Sequence, residues 1–280
     1  MWVLPVRRLD YSQFNGKSQG VFGNAENSYD FVLNVFRVLI LFTGLAQAQE
    51  FVTDGLVGFW SLDKKDIKGN TVNDIFGKNP GKIEGGPKII KEGKIFEALE
   101  FDGKDDYVQL PNMGNSPEVT VEVWTLAHAM PPAAHGCCIG IVSAAPNDQW
   151  KAGTVHFKYE AQQITVHKQD GVKVRFPKAE LDEWYHAVYT CDTKKNELIL
   201  YVNGEFIGKG NAGKEPNNLT HIVIASEHEG RYLPGVVDEV RIYKRILTEK
   251  EIKKNFEIET RAVSAGGKLP LTWAMLKALR

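Results

Sequence analysis

The chain has 280 residues, of which 43% are hydrophobic, and its formal net charge is −1. This apolar fraction is ordinary for a globular protein and is large enough to fill a core between two sheets. The near-neutral charge, with no block of like charges, excludes a basic footprint for nucleic acid and an acidic interaction tail.

The first 48 residues have the pattern of a secretory signal peptide behind a long leader. Arg37 precedes a short apolar run over 38–45, and small residues follow at 46–48. A positive flank, a short apolar run and small residues before a cleavage site are typical of export signals. The run is shorter than the roughly 20 apolar residues that span a bilayer, so no membrane span is expected.

We therefore interpret 1–48 as a signal peptide or a mis-extended leader and expect a secreted or cell-surface protein. Cleavage after Ala48 would leave Gln49 as the first mature residue. A translation start near Val32 or Leu33 would explain the long polar leader. An uncleaved membrane anchor is the alternative.

From residue 51 onward the sequence predicts an antiparallel β protein. Short runs rich in Val, Ile, Tyr, Phe and Trp are separated by segments rich in Gly, Asn, Asp and Pro. Because no β-α-β rhythm is present, two packed antiparallel sheets are the expected arrangement. The predicted strands cover 55–61, 95–101, 107–110, 119–126, 154–159, 164–168, 172–176, 184–191, 197–202, 222–225 and 236–243.

Two tight turns and one helix complete the predicted elements. Asp170-Gly171 and Asn203-Gly204 are two-residue hairpin signals, because these residue types tolerate the positive φ that such turns need. The helix is predicted over 248–256, where Thr248 can cap the N-terminus and Glu251 completes a capping box.

Several of these features, in their order along the chain, resemble a known family. They are the segment 99–110 with its acidic, Gly-containing turn, the Trp-bearing strand 119–126, the Asn203-Gly204 hairpin and the segment 235–243. Their order and spacing resemble the LamG-like jelly-roll domains (laminin G type) of the concanavalin A-like lectin/glucanase superfamily. The resemblance covers 51–259 and implies an all-β, two-sheet antiparallel jelly-roll sandwich with one short C-terminal helix.

Residues 260–280 depart from the family pattern. The segment 262–267 is predicted as a flexible linker, and 270–279 has the pattern of a short amphipathic helix. This tail could dock on the sandwich or serve as an export or attachment tag. A frayed terminus is the alternative.

Catalytic motifs are absent from the sequence. Retaining glycosidases need two carboxylates about 5 Å apart, and the Glu-x-Asp-x-x-Glu string of the glucanase branch does not occur. Asp238 and Glu239 are adjacent and are therefore predicted on opposite faces of a strand, while Glu122 is predicted on a solvent face. We therefore expect a binding module and not an enzyme.

Histidines are scattered singly along the chain. His186 is predicted as a hydrogen-bonded packing residue and not as a base. His156 and His167 could approach each other across neighbouring strands.

The resemblance also implies a structural calcium ion. The segment 72–81 is similar to the Asp-Ser-Ser-Gly-Asn-Gly-x-x-Gly loop that commonly holds the ion with the Asp of the final Ile-Asp-Glu-Val strand. The implied ligands are Asp74 and Asp238, with Gly77 and Asn79 as carbonyl or amide donors and Asp63 as a weaker candidate. Ile75, Phe76 and Lys78 depart from the small polar residues of that loop. The alternative is that both aspartates cap turns and accept backbone hydrogen bonds.

The chain has three cysteines, so one disulfide, as expected in an exported protein, would leave one thiol unpaired. Cys137 and Cys138 are adjacent, and Cys191 ends a predicted strand. The open pairings are a bridge from one of the adjacent pair to Cys191, a strained vicinal bridge, and three reduced thiols. LamG-like domains often carry one disulfide in this region, so the resemblance favours the bridge to Cys191.

Two polar loops form the predicted ligand surface, because a sugar ring needs a flat apolar face and neighbouring polar groups. Trp150 offers such a face in the first loop, although packing of Trp150 under a neighbouring loop is an equal alternative. The candidate ligand residues are Asp148, Gln149, Trp150, His228, Arg231 and Tyr232.

Residues and resemblance together predict a secreted, monomeric, non-catalytic module. We expect it to bind a glycan or an extracellular protein through loops at one rim, with calcium stiffening the loops. A nucleic-acid partner is not expected. Two alternatives stay open, namely a glycoside hydrolase or polysaccharide lyase of the same fold, and an adhesion domain without sugar affinity.

Overall fold

A computed structural model describes residues 51–131, 138–144, 151–227 and 231–264 of the chain, with the side chains of residue 144 and of 261–264 left out. The described residues all belong to one compact unit, Ala48–Arg280. They form two large antiparallel sheets, one two-stranded ladder and one α-helix.

The strands are short and follow one another with few helical interruptions. In chain order they are β1 (Leu56–Trp60), β2 (Ile67–Lys68), β3 (Thr71–Val72), β4 (Gly81–Glu84), β5 (Lys88–Ile90), β6 (Ala98–Asp102), β7 (Tyr107–Gln109), β8 (Asn115–Ser116), β9 (Glu118–Ala127), β10 (Cys138–Ala144), β11 (Val155–Glu160), β12 (Gln163–Lys168), β13 (Lys173–Phe176), β14 (Tyr185–Asp192), β15 (Glu197–Val202), β16 (Glu205–Gly210), β17 (Asn217–Asn218), β18 (Ile222–Ile224) and β19 (Pro234–Tyr243). A 3₁₀ turn covers Lys64–Asp66, and helix α1 covers Glu249–Ser264.

Strand order divides the chain into two layers. The eight-stranded sheet runs β16-β15-β14-β9-β19-β6-β5, with β1 also paired to β19. The nine-stranded sheet runs β13-β12-β11-β10-β18-β7-β4-β3-β2, and β8 pairs with β17. The expected all-β sandwich of two antiparallel sheets with one C-terminal helix is confirmed.

Residue alternation explains how the sheets enclose one core. Successive side chains on a strand point to opposite faces, so Val119, Val121 and Val123 of β9 face the core while the residues between them face away. Phe157 and Tyr159 of β11 meet them from the nine-stranded sheet. This contiguous apolar cluster supplies most of the burial that stabilises the fold.

In the segment 99–110 the sequence pattern predicts the two strands but not the sheets to which they belong. Its two strands, β6 and β7, are confirmed. They do not form a hairpin, because β6 lies in the eight-stranded sheet and β7 in the nine-stranded sheet. The acidic turn between them therefore carries the chain from one layer to the other.

Helix α1 begins as predicted and continues further. Thr248 N donates to Glu251 Oε2 at 2.8 Å and Glu251 N donates to Thr248 Oγ1 at 3.3 Å, which confirms the capping box. The prediction of a linker from residue 262 is wrong as far as Ser264, where the helix ends. Ile258 and Glu259 are buried, so the face that packs on the sheet extends past the predicted end at 256.

Two predictions for the outer face of the eight-stranded sheet are wrong. Glu122 is fully buried and not on a solvent face, because α1 covers that part of β9. Asp238 and Glu239 share one face, because a β-bulge with Glu239 at φ 53° interrupts the register between Asp238 and Arg241. An extra residue in a bulge places two consecutive side chains on the same side.

Two local predictions also need correction. The segment 95–97 is a loop held by two buried aspartates, so β6 begins only at Ala98. The Asn203-Gly204 turn has positive φ at both residues and joins β15 to β16 directly, as predicted. Asp170-Gly171 instead lies in the longer connection between β12 and β13.

The cysteine pairing that the resemblance favours is not formed. Cys191 is a buried free thiol at the end of β14, where its backbone carbonyl accepts a hydrogen bond from Asn217 Nδ2 at 3.2 Å. Burial raises the pKa of the thiol to about 12, so it stays protonated. A vicinal bridge involves Cys137, which lies outside the described residues.

Candidate functional site

The outer face of the nine-stranded sheet carries an unusual set of charged side chains. In β11 the alternation that sends Phe157 into the core turns His156, Lys158 and Glu160 to the opposite face. A sheet face exposed to water usually carries polar residues. Here, however, His156 and Lys158 are themselves buried.

Strand register brings further charged residues beside them. His156 pairs across the ladder with His167, which pairs with Lys173. Lys158 pairs with Thr165, which pairs with Arg175. Directly opposed residues have Cβ atoms roughly 5 Å apart, so two rows cross β11, β12 and β13. The predicted approach of His156 and His167 is confirmed.

Glu227 is the buried centre of this face. Its Oε1 lies 2.9 Å from Arg231 Nη1, 3.4 Å from Lys158 Nζ and 3.3 Å from His156 Nδ1. Burial by itself would raise the pKa of Glu227. The contact with His156 and the charge of Lys158 outweigh burial and lower that pKa to about 2.

A glycine allows Glu227 to lie on the sheet. Gly140 of β10 stands opposite Lys158, and its N–H donates to the carbonyl of Arg231 at 3.0 Å. A Cβ atom at position 140 would lie 2.0 Å from the carbonyl carbon of Ser226. Only glycine permits this close approach of the Ser226–Glu227 backbone.

A second carboxylate, Glu160, is held by cations in the same way. Its Oε1 lies 2.7 Å from Lys173 Nζ and 3.7 Å from Arg175 Nη2, and its Oε2 lies 3.6 Å from Lys158 Nζ. Burial opposes ionisation here too, but the hydrogen bond from Lys173 and the charge of Lys158 lower the pKa of Glu160. Both carboxylates are therefore ionised at neutral pH.

Two tyrosines extend this face over β7. The rings of Tyr107 and Tyr232 stack with centroids 6.1 Å apart and an interplanar angle of 24°. Both residues are partly exposed, and Tyr232 directly follows Arg231. Burial raises the pKa of Tyr107, so its hydroxyl remains a neutral donor. The pair offers flat apolar surface with polar ends beside the Glu227 cluster.

The predicted ligand residues divide into two groups. Arg231 and Tyr232 belong to this face, and their role as ligand residues stays a prediction. The remaining candidates, Asp148, Gln149, Trp150 and His228, lie outside the described residues.

Sequence reasoning missed most of the charged residues on this face. The available signal was period-two alternation of charged and apolar residues in 155–160 and 173–176. Glu227 gave no such signal, because its place depends on the close approach of its backbone to Gly140.

The proposed calcium loop is held by backbone hydrogen bonds around Asp74. Its Oδ1 accepts from the N–H groups of Phe59, Phe76 and Gly77 at 2.9, 3.0 and 2.9 Å. Its Oδ2 accepts from Asn79 N at 3.1 Å. Four donors fill the acceptor sites of one carboxylate, so Asp74 does not fit the role of a calcium ligand in this arrangement.

The other candidate ligands are also used within the protein. The side-chain amide of Asn79 donates to the carbonyl of Val57 at 2.8 Å, and its backbone carbonyl accepts from Trp60 Nε1 at 2.8 Å. Gly77 lies so close to Asp74 and Val57 that a Cβ there would clash with both. These contacts match the turn-capping alternative.

The three aspartates hold two different turns. Asp238 Oδ2 accepts from Ile95 N at 2.8 Å and Asp63 Oδ1 accepts from Glu97 N at 3.2 Å, so both fasten the 93–97 loop. Among the described residues, neither group of His, Cys, Asp and Glu close enough to hold an ion includes them. Those groups are Glu122/His186/Glu259 and Asp102/Asp105/Asp106. Asp74 thus holds one turn, while Asp63 and Asp238 hold another. The calcium ion stays a prediction of the resemblance.

Solved structures share this fold at low sequence identity. Trypanosoma rangeli sialidase in complex with sialic acid matches with a TM-score of 0.57 and 17% identity, over 82% of this chain and 38% of the sialidase. Domain 4 of a GH43 extracellular arabinanase from Geobacillus stearothermophilus, in complex with arabinotriose, matches with a TM-score of 0.52 and 17% identity, over 71% and 97% of the two chains. The binding domain of Paraclostridial Mosquitocidal Protein 1 matches with a TM-score of 0.59 and 14% identity, over 72% and 52%.

These likenesses establish fold and not activity. The chain spans about two fifths of the length of the sialidase that it matches. No curated protein matches it in sequence. In the part of the chain that the structure describes, no helix has the length and apolar character needed to cross a membrane.

Sequence comparison with protein families agrees with the architecture. The profile of the laminin G type 3 family, described as part of the concanavalin A-like lectin/glucanases superfamily, matches residues 102–253. This range holds every strand of the charged face that was described above, from Tyr107 to Tyr232. The chain therefore belongs to the laminin G type 3 family of the concanavalin A-like lectin/glucanase superfamily.

Proposed function

We propose that this protein is a non-catalytic carbohydrate-binding module that contacts its ligand through the outer face of the nine-stranded sheet. The observation that carries the proposal is the juxtaposition of the Glu227 cluster with the stacked Tyr107–Tyr232 pair. Sugar recognition needs a flat apolar surface for the ring and fixed polar groups for the hydroxyls. This face supplies both.

Ionic contacts make the polar groups rigid. Glu227 is held on one oxygen by three basic side chains, and the backbone of Arg231 is fastened to both Gly140 and Glu227. A site whose groups are already positioned loses less conformational entropy when a ligand binds.

The electrostatics favour binding over hydrolysis. A glycosidase general acid needs a carboxyl group whose pKa is raised so that it carries a proton near neutral pH. Glu227 and Glu160 both have lowered pKa values instead. Glu160, whose side chain is 17% exposed, is an acceptor for ligand hydroxyls. Glu227 is fully buried and anchors the cations around it, of which Arg231 is 33% exposed.

Several structural relatives are described with sugars, which supports the proposal by analogy of fold. The sialidase structure holds sialic acid, and the arabinanase domain holds arabinotriose. At 17% identity this analogy does not transfer the sugar.

Secretion is part of the proposal. An apolar run flanked by Arg37 and small residues at 46–48 supports export through a cleaved signal. We propose that the exported domain, 51–259, acts as a monomer on an extracellular glycan. Mass spectrometry of the secreted product should find Gln49 as its first residue, and an intact Met1 would contradict export by cleavage.

Tyr232→Ala tests the binding face. We expect the full chain to bind saccharides on a glycan array and Tyr232→Ala to weaken the affinity for the best of them about tenfold, because the stacking surface is lost. Phe206→Ala is the matched control, since Phe206 is an exposed aromatic residue on the eight-stranded sheet. Its affinity should equal that of the parent.

Three outcomes contradict the proposal. They are an array without bound saccharide, an equal loss of affinity in the Phe206→Ala control, and turnover of a polysaccharide that Glu227→Gln abolishes. The last result would indicate a glycoside hydrolase or polysaccharide lyase. Binding to extracellular proteins without any bound saccharide would indicate an adhesion domain.

A further inference from the structure

We infer that the ligand is an acidic saccharide, carrying a carboxylate or sulfate group, whose anionic group contacts Lys173 and Arg175 at the edge of the nine-stranded sheet. This inference rests on the proposed function and specifies its ligand class. The charged face over β10 to β13, with Glu227 and Arg231, is called the basic band below. Its charged residues are Lys158, Lys173, Arg175, Arg231, Glu160 and Glu227.

Charge balance is the first argument. The basic band has four Lys and Arg side chains and two carboxylates, so with all six groups ionised it carries two excess positive charges on a chain whose net charge is −1. Burial lowers the pKa of Lys158 and the charges of Glu227 and Glu160 oppose that shift. Lys158 of β11, Lys173 and Arg175 of β13 and the loop residue Arg231 lie on one face of the sheet, where a local positive potential attracts an anionic ligand.

Unused donor groups are the second argument. Within the described residues, the Arg175 guanidinium has no hydrogen-bond acceptor, and its nearest carboxylate oxygen, in Glu160, is 3.7 Å away. A guanidinium has five N–H donors in a planar fork that suits a carboxylate or a sulfate. Lys173 donates to Glu160 at 2.7 Å and has two further donors.

Accessibility is the third argument. The side chains of Lys173 and Arg175 are 28% and 41% exposed, whereas that of Lys158 is only 2% exposed. Their strand, β13, is the edge strand of its sheet. The two residues are separated by one position, so they share a face with their Cα atoms roughly 7 Å apart and can contact the same acidic sugar.

The titration of His167 agrees with a positive potential. His167 lies between His156 and Lys173 in its row. Burial and then the charges of Lys173 and Lys158 lower the pKa of His167 to about 4. The positive charges of the basic band therefore disfavour protonation of His167, and the same electrostatic potential favours a bound anion.

Matched polymers test the inference. The full chain is titrated calorimetrically with polygalacturonate, with its methyl ester, with dextran sulfate and with dextran. Each pair differs in anionic groups on the same backbone, so the carboxylate and sulfate sources are separated. We expect at least one charged polymer to bind about tenfold more tightly than its neutral counterpart, and added salt to weaken this difference.

Point variants locate the contact. Lys173→Gln and Arg175→Gln should each weaken binding to the charged polymer about fivefold, with unchanged melting temperature, because both side chains are partly exposed. Lys209→Gln is the matched control, since Lys209 has a 64% exposed side chain in an ion pair with Glu197 on the other sheet. Its binding should not change.

The outcomes separate this inference from the proposed function. Equal binding of charged and neutral polymers overturns the acidic class and leaves carbohydrate binding intact. Binding to no saccharide at all overturns the proposed function. Equal losses in Lys209→Gln and Arg175→Gln, or equally tight binding of polyuridylate, would show attraction by charge alone and also overturn the inference.

Discussion

The outer faces of the two sheets both carry charged residues, but these residues differ in their exposure to solvent. On the eight-stranded sheet, α1 and the segment that precedes β1 cover Glu122, His186 and Arg241 completely. On the nine-stranded sheet, Lys173 and Arg175 remain partly exposed. Charged residues at period-two spacing therefore have a structural role on one face and are available to a ligand on the other.

On the covered face of the eight-stranded sheet, the buried charged side chains are joined by hydrogen bonds and ion pairs. His186 Nε2 lies 2.7 Å from Glu122 Oε1, and Asn255 Nδ2 of α1 donates to Glu122 Oε2 at 2.9 Å. Arg241 Nη2 lies 2.6 Å from Glu239 Oε2 and 2.5 Å from Glu259 Oε1. The carboxylates raise the pKa of Arg241 although burial opposes this.

Both ends of the domain join this network. Val52 N donates to Asn255 Oδ1 at 2.9 Å, and Tyr243 Oη donates to the Val52 carbonyl at 2.9 Å. Trp124 donates to Glu259 and stacks on Phe256, so the helix is held by polar and aromatic contacts. The covering helix therefore buries one charged face and leaves only the other accessible to a ligand.

Arg241→Met should show the largest effect, because it removes the cation from the covered network. Three buried carboxylates, those of Glu122, Glu239 and Glu259, would lose the guanidinium that balances their charge. We expect the free energy of unfolding to fall by about 3–5 kcal/mol in urea titrations. Lys209→Met, which removes an exposed ion pair, should change it by less than about 1 kcal/mol. Equal changes would contradict the distinction.

Gly140→Ala should damage the open face. The added Cβ would meet the Ser226 carbonyl group at 2.0 Å, so the Ser226–Glu227 backbone must move. We expect a loss of about 1–3 kcal/mol in unfolding free energy and at least a tenfold weaker affinity for the saccharide. Gly86→Ala is the control, because a Cβ there meets nothing within 4 Å. Unchanged binding in Gly140→Ala would remove Glu227 from the site.

Acid should destabilise the open face through His167. Its pKa is about 4 in the folded protein and near its ordinary value of 6.5 when unfolded. Between these pH values the unfolded state binds more protons, so the free energy of unfolding falls as the pH drops. Glu227, with a pKa of about 2 in place of 4.5, continues the loss below pH 4.5.

Urea titrations at pH values of about 7, 5.5 and 4.5 check this dependence, because these values span the range in which histidine titrates. We expect His167→Gln to lose less stability than the parent between the first and the last pH. His221→Gln, a substitution of an exposed histidine, should follow the parent. An unchanged slope in His167→Gln would show that the band does not depress the His167 pKa.

Calcium should have the smallest effect, because Asp74 already accepts four backbone hydrogen bonds beside the covered face. We expect the melting temperature to be the same with EDTA and with added calcium. Asp74→Ala should lower the unfolding free energy by about 1–3 kcal/mol under both conditions. A melting temperature that rises with calcium and loses this rise in Asp74→Ala would restore the ion to the loop.

Local signals were sufficient for most of the secondary structure. The alternation in β9 and β11, the Asn203-Gly204 turn and the Thr248–Glu251 capping box each act within a few residues of the chain. Such features are local, so sequence spacing predicts them.

Glu122 and Glu227 show where sequence reasoning ends. Glu122 occupies a strand position that alternates with core residues, as a solvent-facing residue would. It is buried by α1, which begins 127 residues later at Glu249, together with the segment that precedes β1. Glu227 meets Lys158 through a contact between residues 69 positions apart. No local pattern encodes contacts of this range.

The sequence by itself determined the strands, the sandwich class and the helix cap, because side-chain alternation and capping depend on neighbours along the chain. Contacts between distant segments place β6 and β7 in different sheets, bury one charged face under α1, and leave Lys173 and Arg175 partly exposed on the other. The physical reason is that burial and electrostatic partnership depend on which distant segments pack together.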